Sequence, residues 1–252
     1  MIGLNGGLVG KPRRSIYTNN GIWTPSEQVL SRFDPYWDDV AILLHMDGTN
    51  GSTTFVDSSK YNATITVNNQ AQISTAQSKF GGASALFDGT TDSITAPSNA
   101  TAFTCYVDFT IEFWMYVVTN DSNAGVISNG AASLSGTAFA IIANHTTQTN
   151  RVSIWNAPSG SSALCSTGTF STATWHHVAF VRSEGTLTPY LDGVAGTSVA
   201  NTSVWTLSAT NFRVGRYWNG DFNGHVDEVR VTKNRARYTA NFTPPGAAFP
   251  NA

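Results

Sequence analysis

Apolar and polar residues alternate with a period of two through most of the chain after residue 38. The longest such run is 109–117. One side of it carries Phe109, Ile111, Phe113, Met115 and Val117, and the other carries Thr110, Glu112, Trp114 and Tyr116. Because side chains of a strand point alternately to opposite faces, this pattern predicts a strand with one face in a core. The second face, aromatic with a single acid, is either a second core or a binding surface.

Further strand-like runs extend this pattern into a sandwich. Val40–Leu44 is apolar throughout, as in a strand buried on both faces. The other runs are 64–67, 83–87, 93–96, 126–127, 138–142, 151–155, 175–182, 212–216 and 225–232. Asp-Gly pairs at Asp47, Asp88 and Asp192 mark tight turns between them. Strands that recur about every 8 to 15 residues, without a long helical period, predict an all-β, two-sheet antiparallel jelly-roll sandwich.

The first 37 residues differ from this pattern. They are rich in Gly and Asn, contain a basic run at 11–14, and show a helix-start signal that predicts a short helix over 25–32. Their apolar side chains have few local partners, so the segment is either an arm that orders on a partner protein, or else a disordered leader or a strap across its own domain. The candidate partner-binding residues are Leu4, Leu8, Arg13, Arg14, Ile16 and Trp23. We therefore divide the chain into an arm, 1–37, and a domain, 38–252.

Composition narrows the function classes. Charged residues make up 12% of the chain, about half the usual share, and the net charge is −2, which gives no global case for nucleic acid or an anionic membrane. No run of about 18 apolar residues occurs, so we predict no membrane insertion. The basic residues near the C-terminus, 230–237, are expected to meet acidic neighbours or solvent. Cys105 and Cys165 form no zinc pattern and are predicted to be buried small residues.

Several motifs, taken in order, resemble a known family. They are LLHMDG (43–48), STTFVDSS (52–59), KFGGASALFDG (79–89), DFTIEFWMY (108–116), WHHVAFVR (175–182), YLDG (190–193) and GHVDEVRVTKNRARY (224–238). Over residues 38–250 they resemble the laminin-G-like, concanavalin A-like jelly-roll domain. The form with KFGG before FDG is similar to domains of bacteriophage structural proteins such as tail fibres, head appendages and decoration proteins.

This resemblance implies a virion structural protein that displays a lectin-like domain. The arm would bind other virion proteins of the capsid or tail, and the domain would adhere to host-surface glycans or stabilise the particle. The expected location is the virion, and homo-oligomerisation stays open. The alternative that the resemblance allows is a free carbohydrate-binding lectin whose affinity depends on calcium.

Hydrolysis is not expected. Glucanases of this fold carry two Glu residues flanking an Asp on one strand, which alternation places on one face. Glu occurs here only at Glu27, Glu112, Glu184 and Glu228, and no two share a strand at that spacing. His176 and His177 are adjacent in a strand and so oppose each other, and no GxSxG nucleophile motif accompanies them. A Ser-His-Asp arrangement stays open, and we predict a protein that is not an enzyme.

Calcium is the one metal that the sequence suggests. Loop carboxylates and backbone carbonyls suit Ca²⁺, and the candidates are Asp47, Asp57, Asp88 and Asp227. In the fold group that the chain resembles, a structural Ca²⁺ often joins an early loop to the penultimate strand, which would bring Asp227 near Asp47. The competing interpretation is that Asp47 and Asp88 make Asp-Gly turns and Asp57 an Asx turn.

A sugar-binding loop is predicted at 216–223. A pyranose ring stacks on an exposed aromatic ring while its hydroxyls need hydrogen-bond partners. This segment offers both kinds of group, in Tyr217, Trp218, Asn219, Asp221 and Asn223. Trp155 and Trp205 are weaker candidates, because each is expected at the edge of the core.

Overall fold

The computed structural model describes residues 33–97, 104–129, 139–156, 165–206, 212–218 and 220–252. A 3-10 helix spans Trp37–Asp39. The strands are β1 (Val40–Leu44), β2 (Thr66–Asn68), β3 (Gln72–Ser74), β4 (Ser84–Asp88), β5 (Ser93–Ala96), β6 (Thr104–Cys105), β7 (Phe109–Val117), β8 (Ala124–Ser128), β9 (Phe139–His145), β10 (Gln148–Asn156), β11 (Cys165–Thr169), β12 (Trp175–Ser183), β13 (Thr186–Leu191), β14 (Val194–Ala195), β15 (Val199–Ala200), β16 (Trp205–Thr206), β17 (Phe212–Val214), β18 (Arg216–Tyr217), β19 (Gly220–Asp221) and β20 (Asn223–Lys233). Among these residues no helix has the length and apolar character needed to cross a membrane.

Two antiparallel sheets account for most of the described strands. The nine-stranded sheet has the order β14-β13-β12-β7-β20-β4-β3, with β1 also paired to β20 and β15 to β13. The seven-stranded sheet has the order β11-β10-β9-β8-β17-β5-β2. Their inner faces share one core, to which the first sheet contributes Phe113 and Phe180 and the second Ile141 and Val214. The predicted two-sheet sandwich is confirmed.

Strand β7 shows how the alternating pattern is used. Its apolar side faces the shared core, as predicted. Its other side is buried as well, with Glu112 fully buried and Trp114 4% exposed. The C-terminal segment covers this side: the rings of Tyr238 and Phe242 stack at 3.6 Å, and Phe242 lies 5.7 Å from His177. Of the two alternatives the second core is therefore correct for this part of β7.

The segment after β20 lies along the sandwich, as its Pro-rich sequence predicts. Ala236, Tyr238 and Phe242 pack on the outer face of the nine-stranded sheet. Residues 234–252 contain only bends and irregular structure. Pro244 and Pro245 have no N–H to donate, which disfavours regular pairing there.

A charged cluster is buried under this segment, 234–252, which we call the covering segment. Arg230 Nε donates to Glu112 Oε1 at 2.9 Å, and the hydroxyl of Tyr238 donates to Glu112 Oε2 at 2.8 Å. Asp34 Oδ2 lies 3.0 Å from Arg230 Nη1 and 2.6 Å from Arg237 Nη2. Buried charges are tolerated when they are paired and hydrogen-bonded in this way. The packing of the domain therefore includes Asp34, which lies within the predicted arm, 1–37.

Details of the strands differ from expectation at three places. Residues 148–150, predicted as a turn, begin β10, and the turn is at 146–147. Arg216 is not part of the strand with Phe212, because Gly215, at φ +94°, separates β17 from β18. In β20 a bulge between Asp227 and Arg230 adds one residue against β7. This bulge sets the positions of both acidic side chains in the Asp-Glu pair.

The buried cysteines and tryptophans agree with the sequence predictions. Cys105 and Cys165 are buried free thiols, and burial raises the pKa of each to about 12. Trp155 and Trp205 are each 3% exposed, as expected for core-edge residues. The basic residues near the C-terminus meet acidic partners as predicted: Arg235 pairs with Asp39 in addition to the buried pairs described above.

Candidate functional site

The predicted sugar-binding loop is a hairpin that folds back onto the outer face of the seven-stranded sheet. Strands β18 and β19 pair with each other and lie on β8. Gly125 allows this close approach: a Cβ added to it would lie 2.3 Å from Tyr217 N and 2.8 Å from Gly220 O. The hydroxyl of Ser128 donates to the carbonyl of Arg216 at 2.9 Å. The hairpin is thus fixed to the sheet by backbone contacts, and its side chains form a surface, which we call the hairpin face.

The aromatic residues of the hairpin face have different exposures. Trp218 is 54% exposed, and Tyr217 is half-buried against Ala140, Ile142 and Trp155. Trp155 donates its indole N–H to Ser153 Oγ at 2.9 Å, and its ring lies 4.2 Å from that of His145. Burial raises the pKa of Tyr217. Trp218 therefore offers its ring to solvent, and the neighbouring Tyr217 packs onto the outer face of the sheet.

Polar groups of the predicted site fall in two places. Arg216 Nε lies 3.1 Å from Asp221 Oδ1, an ion pair that closes the base of the hairpin. Asn223 follows the buried Phe222 and begins β20, where its side chain lies against the turn at Gly89. Asn219 lies outside the described residues. The structure thus brings together Tyr217, Trp218 and Asp221, and it places Asn223 on the other sheet.

The four candidate calcium ligands do not form one cluster. Asp57 accepts N–H donors from Leu43, Ser59 and Ala63, at 2.9–3.1 Å, and also the hydroxyl of Ser59. Asp88 accepts the N–H of Thr90, two residues on, at 2.7 Å. These are the Asx-type contacts that the competing interpretation predicted. Among the described residues no group of three or more His, Cys, Asp or Glu side chains is arranged to hold a metal ion.

Asp227 and Asp47 do meet, and the KFGG segment wraps around them. Asp227 Oδ2 accepts the N–H groups of Lys79, at 2.8 Å, and Phe80, at 3.1 Å. Gly81 leaves room for Asp47, because a Cβ there would lie 1.8 Å from Asp47 Oδ1. Burial, followed by the charges of Glu228 and Asp47, raises the pKa of Asp227 to about 7, although the two N–H donors oppose this rise. Asp227 Oδ1 is buried and has no hydrogen-bond partner in the described part of the chain.

This pair fits one half of the predicted calcium site. Asp227 Oδ1 would be the ligand atom for a hard cation, with the charge of Asp47 nearby, and carboxylate oxygens are ligands that Ca²⁺ accepts. Glu228 is not free to join them: its Oε1 bonds His45 Nδ1 at 2.8 Å, and its Oε2 accepts the N–H of Phe249 at 2.8 Å. Asp57 and Asp88 thus make turn contacts, and calcium binding by Asp47 and Asp227 stays a prediction.

The histidine pair points to opposite faces, as alternation predicts. His177 Nε2 lies 3.3 Å from Glu112. His176 Nδ1 lies 2.7 Å from Asp192 Oδ2, and its Nε2 lies 3.1 Å from Ser171 Oγ. This is a Ser-His-Asp order, but the backbone N–H of Ser171 also donates to Nε2, at 3.2 Å. The backbone N–H of Ser171 already donates to the lone pair of His176 Nε2. We therefore interpret the arrangement as one that holds the turn after β11 to the hairpin at Asp192.

The arm candidates, Leu4, Leu8, Arg13, Arg14, Ile16 and Trp23, and the predicted helix over 25–32 lie outside the described residues. The described chain starts at Phe33, and the N–H of Asp34 donates to the carbonyl of Ala252 at 2.6 Å. Asp34 lies on the outer face of the nine-stranded sheet, beside Arg230. The hairpin face lies on the outer face of the other sheet. Asp34, near the start of the described residues, therefore lies on the side opposite the candidate site.

Sequence reasoning missed two residues of the hairpin face, Gly125 and Arg213. Gly125 did not indicate which segment approaches it, because its role depends on a hairpin that lies about 90 residues away in the chain. Arg213 did give a signal: a charged residue between Phe212 and Val214 is expected to point away from the core. The structure confirms that orientation, since Phe212 and Val214 are in the shared core.

Comparisons with solved structures identify the same architecture. Domain 4 of the extracellular arabinanase AbnA from Geobacillus stearothermophilus superposes with a TM-score of 0.57 at 18% identity, covering 77% of this chain and 92% of that one. The binding domain of botulinum neurotoxin serotype D/C gives 0.55 at 15% identity, with 78% and 49% covered. A Trypanosoma rangeli sialidase gives 0.56 at 13% identity, with 80% and 32% covered. At these identities the likeness shows the fold, and the chain spans about half of the neurotoxin domain and a third of the sialidase.

No curated protein sequence matches the chain significantly. A family description does match it: Laminin_G_3, of the concanavalin A-like lectin/glucanases superfamily, aligns with residues 88–238. The matched region runs from the Asp88-Gly89 turn through both sheets to Tyr238 of the covering segment. Since this is more than half of the 252 residues, the chain belongs to the Laminin_G_3 family of concanavalin A-like, lectin-like domains.

Proposed function

We propose that the protein is a non-catalytic glycan-adhesion module that binds carbohydrate at the hairpin face. The observation that carries this proposal is the half-exposed ring of Trp218, carried by a hairpin that is fixed to the sheet by backbone contacts and by the packing of Tyr217 on Trp155. An exposed, rigidly held aromatic ring beside hydroxyl and charged groups suits the apolar face and the hydroxyls of a sugar. Similar folds support it: AbnA domain 4 was solved with arabinotriose, and cell entry of botulinum neurotoxin type C depends on two ganglioside molecules.

A glycan array with the full chain tests this proposal. Trp218→Ala is expected to lose binding by at least about tenfold, since an aromatic anchor contributes on the order of 1–3 kcal/mol. Tyr106→Ala is the matched control, because Tyr106 is an exposed aromatic, 67% exposed, on a different part of the surface. Silence of the wild-type chain on a broad array, or equal losses in both variants, would remove the hairpin face as the site. Incubating bound glycans and analysing them for shorter products checks that binding occurs without cleavage.

We further propose that the module is a structural protein of a bacteriophage virion, joined to the capsid or tail through its arm. The resemblance of the KFGG-containing segment to phage structural proteins supports this role. The position of Asp34 supports it as well, because this residue lies on the face opposite the hairpin face. Adhesion to host-surface glycans would then follow from display on the particle.

Deletion of residues 1–32 tests the attachment. The deletion must stop before Asp34, because its loss would leave Glu112 as the remaining carboxylate beside both Arg230 and Arg237. The truncated chain is expected to fold, to keep its thermal stability, and to be absent from particles purified from a producing host. Incorporation equal to that of the full chain would refute arm-mediated attachment.

The second candidate function is a free lectin whose binding depends on calcium, favoured by the Asp47–Asp227 pair. The same glycan array with EDTA separates the two. Loss of glycan binding on chelation, together with absence from particles, would favour the free lectin.

A further inference from the structure

Arg213 lies in the middle of a single row of side chains that crosses the outer face of the seven-stranded sheet. Opposite partners in the strand registers define this row. It runs Thr66, Thr95, Arg213, Ser128, Ala140 and Trp155. Residues directly opposite each other in antiparallel strands point to the same face. Arg213 is therefore flanked by Thr95 and Ser128. It lies in the same row as Trp155, on which Tyr217 of the hairpin packs.

Arg213 is partly buried without the partner that such a charge normally has. Its Nε is buried and makes no hydrogen bond within the described ranges. No carboxylate of the described residues forms an ion pair with it, whereas the neighbouring Arg216 has Asp221. Burial, and then repulsion from Arg216, lowers the pKa of Arg213. A guanidinium held in this way costs stability unless an anion compensates it.

The other buried arginines of the chain show what an internal role requires. Arg230 has Glu112 and Asp34. Arg182 donates to the carbonyls of Cys105, Val107 and Ser203 and lies over the ring of Phe109. Arg213 has neither carboxylates nor such a set of carbonyls among the described residues. Its charge is therefore not explained by the packing of the domain.

We infer that Arg213 forms an anion subsite of the hairpin face and that the glycan it takes is acidic, with a sugar carboxylate on the guanidinium. This inference rests on the proposed glycan binding and names its substrate class. The planar fork of an arginine matches a carboxylate in two parallel hydrogen bonds. Arg216 adds positive charge beside it, and Trp218 stacks on the neighbouring sugar ring. A uronic or sialic acid residue supplies the required carboxylate.

Matched ligands test the subsite. Oligogalacturonate and its methyl ester differ only in the carboxylate charge, and isothermal titration of the full chain measures both. The wild type is expected to bind the acid at least about tenfold more tightly than the ester, as a charge-assisted contact requires. Arg213→Gln is expected to bind the two equally, and Arg213→Lys to recover only part of the difference because it lacks the fork. A sulfated neutral oligosaccharide shows whether a sulfate is accepted in place of a carboxylate.

Arg235→Gln is the matched control, because Arg235 is a half-exposed arginine that pairs with Asp39 on the other side of the domain. It is expected to keep the wild-type preference. Thermal unfolding of Arg213→Gln supplies a second readout: a subsite residue gives a variant as stable as wild type or more stable, whereas a structural residue gives a loss. Equal wild-type affinity for acid and ester would overturn the acidic-glycan inference and leave glycan binding intact. Absence of wild-type binding to both, with a silent array, would overturn both proposals.

Discussion

Glu112 and Arg230 face each other across β7 and β20, with Arg230 Nε 2.9 Å from Glu112 Oε1 and both side chains buried. The pair joins the centre of the nine-stranded sheet to the two ends of the described chain, because Tyr238 also bonds Glu112 and Asp34 also bonds Arg230. Removal of the Glu112 charge would leave the two guanidinium groups of Arg230 and Arg237 sharing the single carboxylate of Asp34. The pair therefore fixes the position of the C-terminal covering segment on the sheet.

Glu112→Gln is accordingly expected to lower the free energy of unfolding by about 3 kcal/mol at neutral pH. The nearby arginine lowers the pKa of Glu112 in the folded state, so its stabilising effect is full above the ordinary glutamate pKa of 4.5 and is lost as the pH falls below that value. The difference between wild type and variant should shrink in acid. Urea unfolding over a pH series measures it, with the exposed Glu184→Gln as control. A loss at neutral pH no larger than that of the control would contradict this account.

Asp227 should have the opposite pH dependence. Its folded pKa of about 7 exceeds the ordinary value of 3.8, so the folded state retains a proton that the unfolded chain releases between these values. The contribution of Asp227 to the free energy of unfolding is therefore greatest below pH 3.8, and it is lost as the pH rises through 7. Asp227→Asn removes the penalty and keeps an acceptor for Lys79 and Phe80. The variant should be more stable than wild type, by on the order of 1–2 kcal/mol above pH 7, and equal to it in acid. If Asp227→Asn is instead less stable than wild type above pH 7 in metal-free buffer, the account of Asp227 as a buried carboxylate without a compensating charge is refuted.

Calcium provides a separate test of the same carboxylate. If Asp227 and Asp47 bind Ca²⁺, a hundredfold excess over the dissociation constant should add about 2.7 kcal/mol to wild-type stability and raise its melting temperature. Asp227→Asn should lose this response, and Asp88→Asn, in which an Asx turn is altered, should keep it. Differential scanning fluorimetry with CaCl₂, MgCl₂ and EDTA compares the three proteins. An unchanged wild-type melting temperature would refute the calcium prediction.

Much of the fold could be read from local patterns, and much of the site could not. The alternation in β7, the buried β1 and the Asp192-Gly193 turn depend on neighbours in the sequence, and each was predictable. The dual burial of β7 depends on Tyr238 and Phe242, more than 120 residues away, so sequence left it open. Local reasoning also placed the adjacent Asp227 and Glu228 on opposite faces of a regular strand. The bulge, with Glu228 at φ +50°, instead buries both and gives each its own set of partners.

The hairpin face was predictable in composition but not in position. Aromatic and amide residues marked 216–223 as a binding loop, but nothing local indicates that the loop folds onto β8 rather than projecting from the sandwich. Gly125 allows the loop to fold onto β8, because it is the one position of β8 where the backbone of another segment can approach this closely. A glycine inside a strand is a known sign of such an approach, although it does not say which segment approaches.

Gly125→Ala tests whether this approach is needed for binding. The added methyl group would overlap Tyr217 N at 2.3 Å and Gly220 O at 2.8 Å, and both are backbone atoms that cannot rotate away. The hairpin must therefore lift from β8, which separates Trp218 from its support while the two large sheets stay paired. We expect a loss of glycan affinity of at least about tenfold and a stability cost of about 1–3 kcal/mol. Gly168→Ala is the matched control, because a Cβ there meets nothing within 4 Å and Gly168 also lies in the seven-stranded sheet. Affinity measured by titration, together with near-ultraviolet circular dichroism of the tryptophans, distinguishes a displaced hairpin from an unfolded domain. Wild-type affinity in Gly125→Ala would show that the ring of Trp218 needs no fixed hairpin beneath it, and it would move the site away from β8.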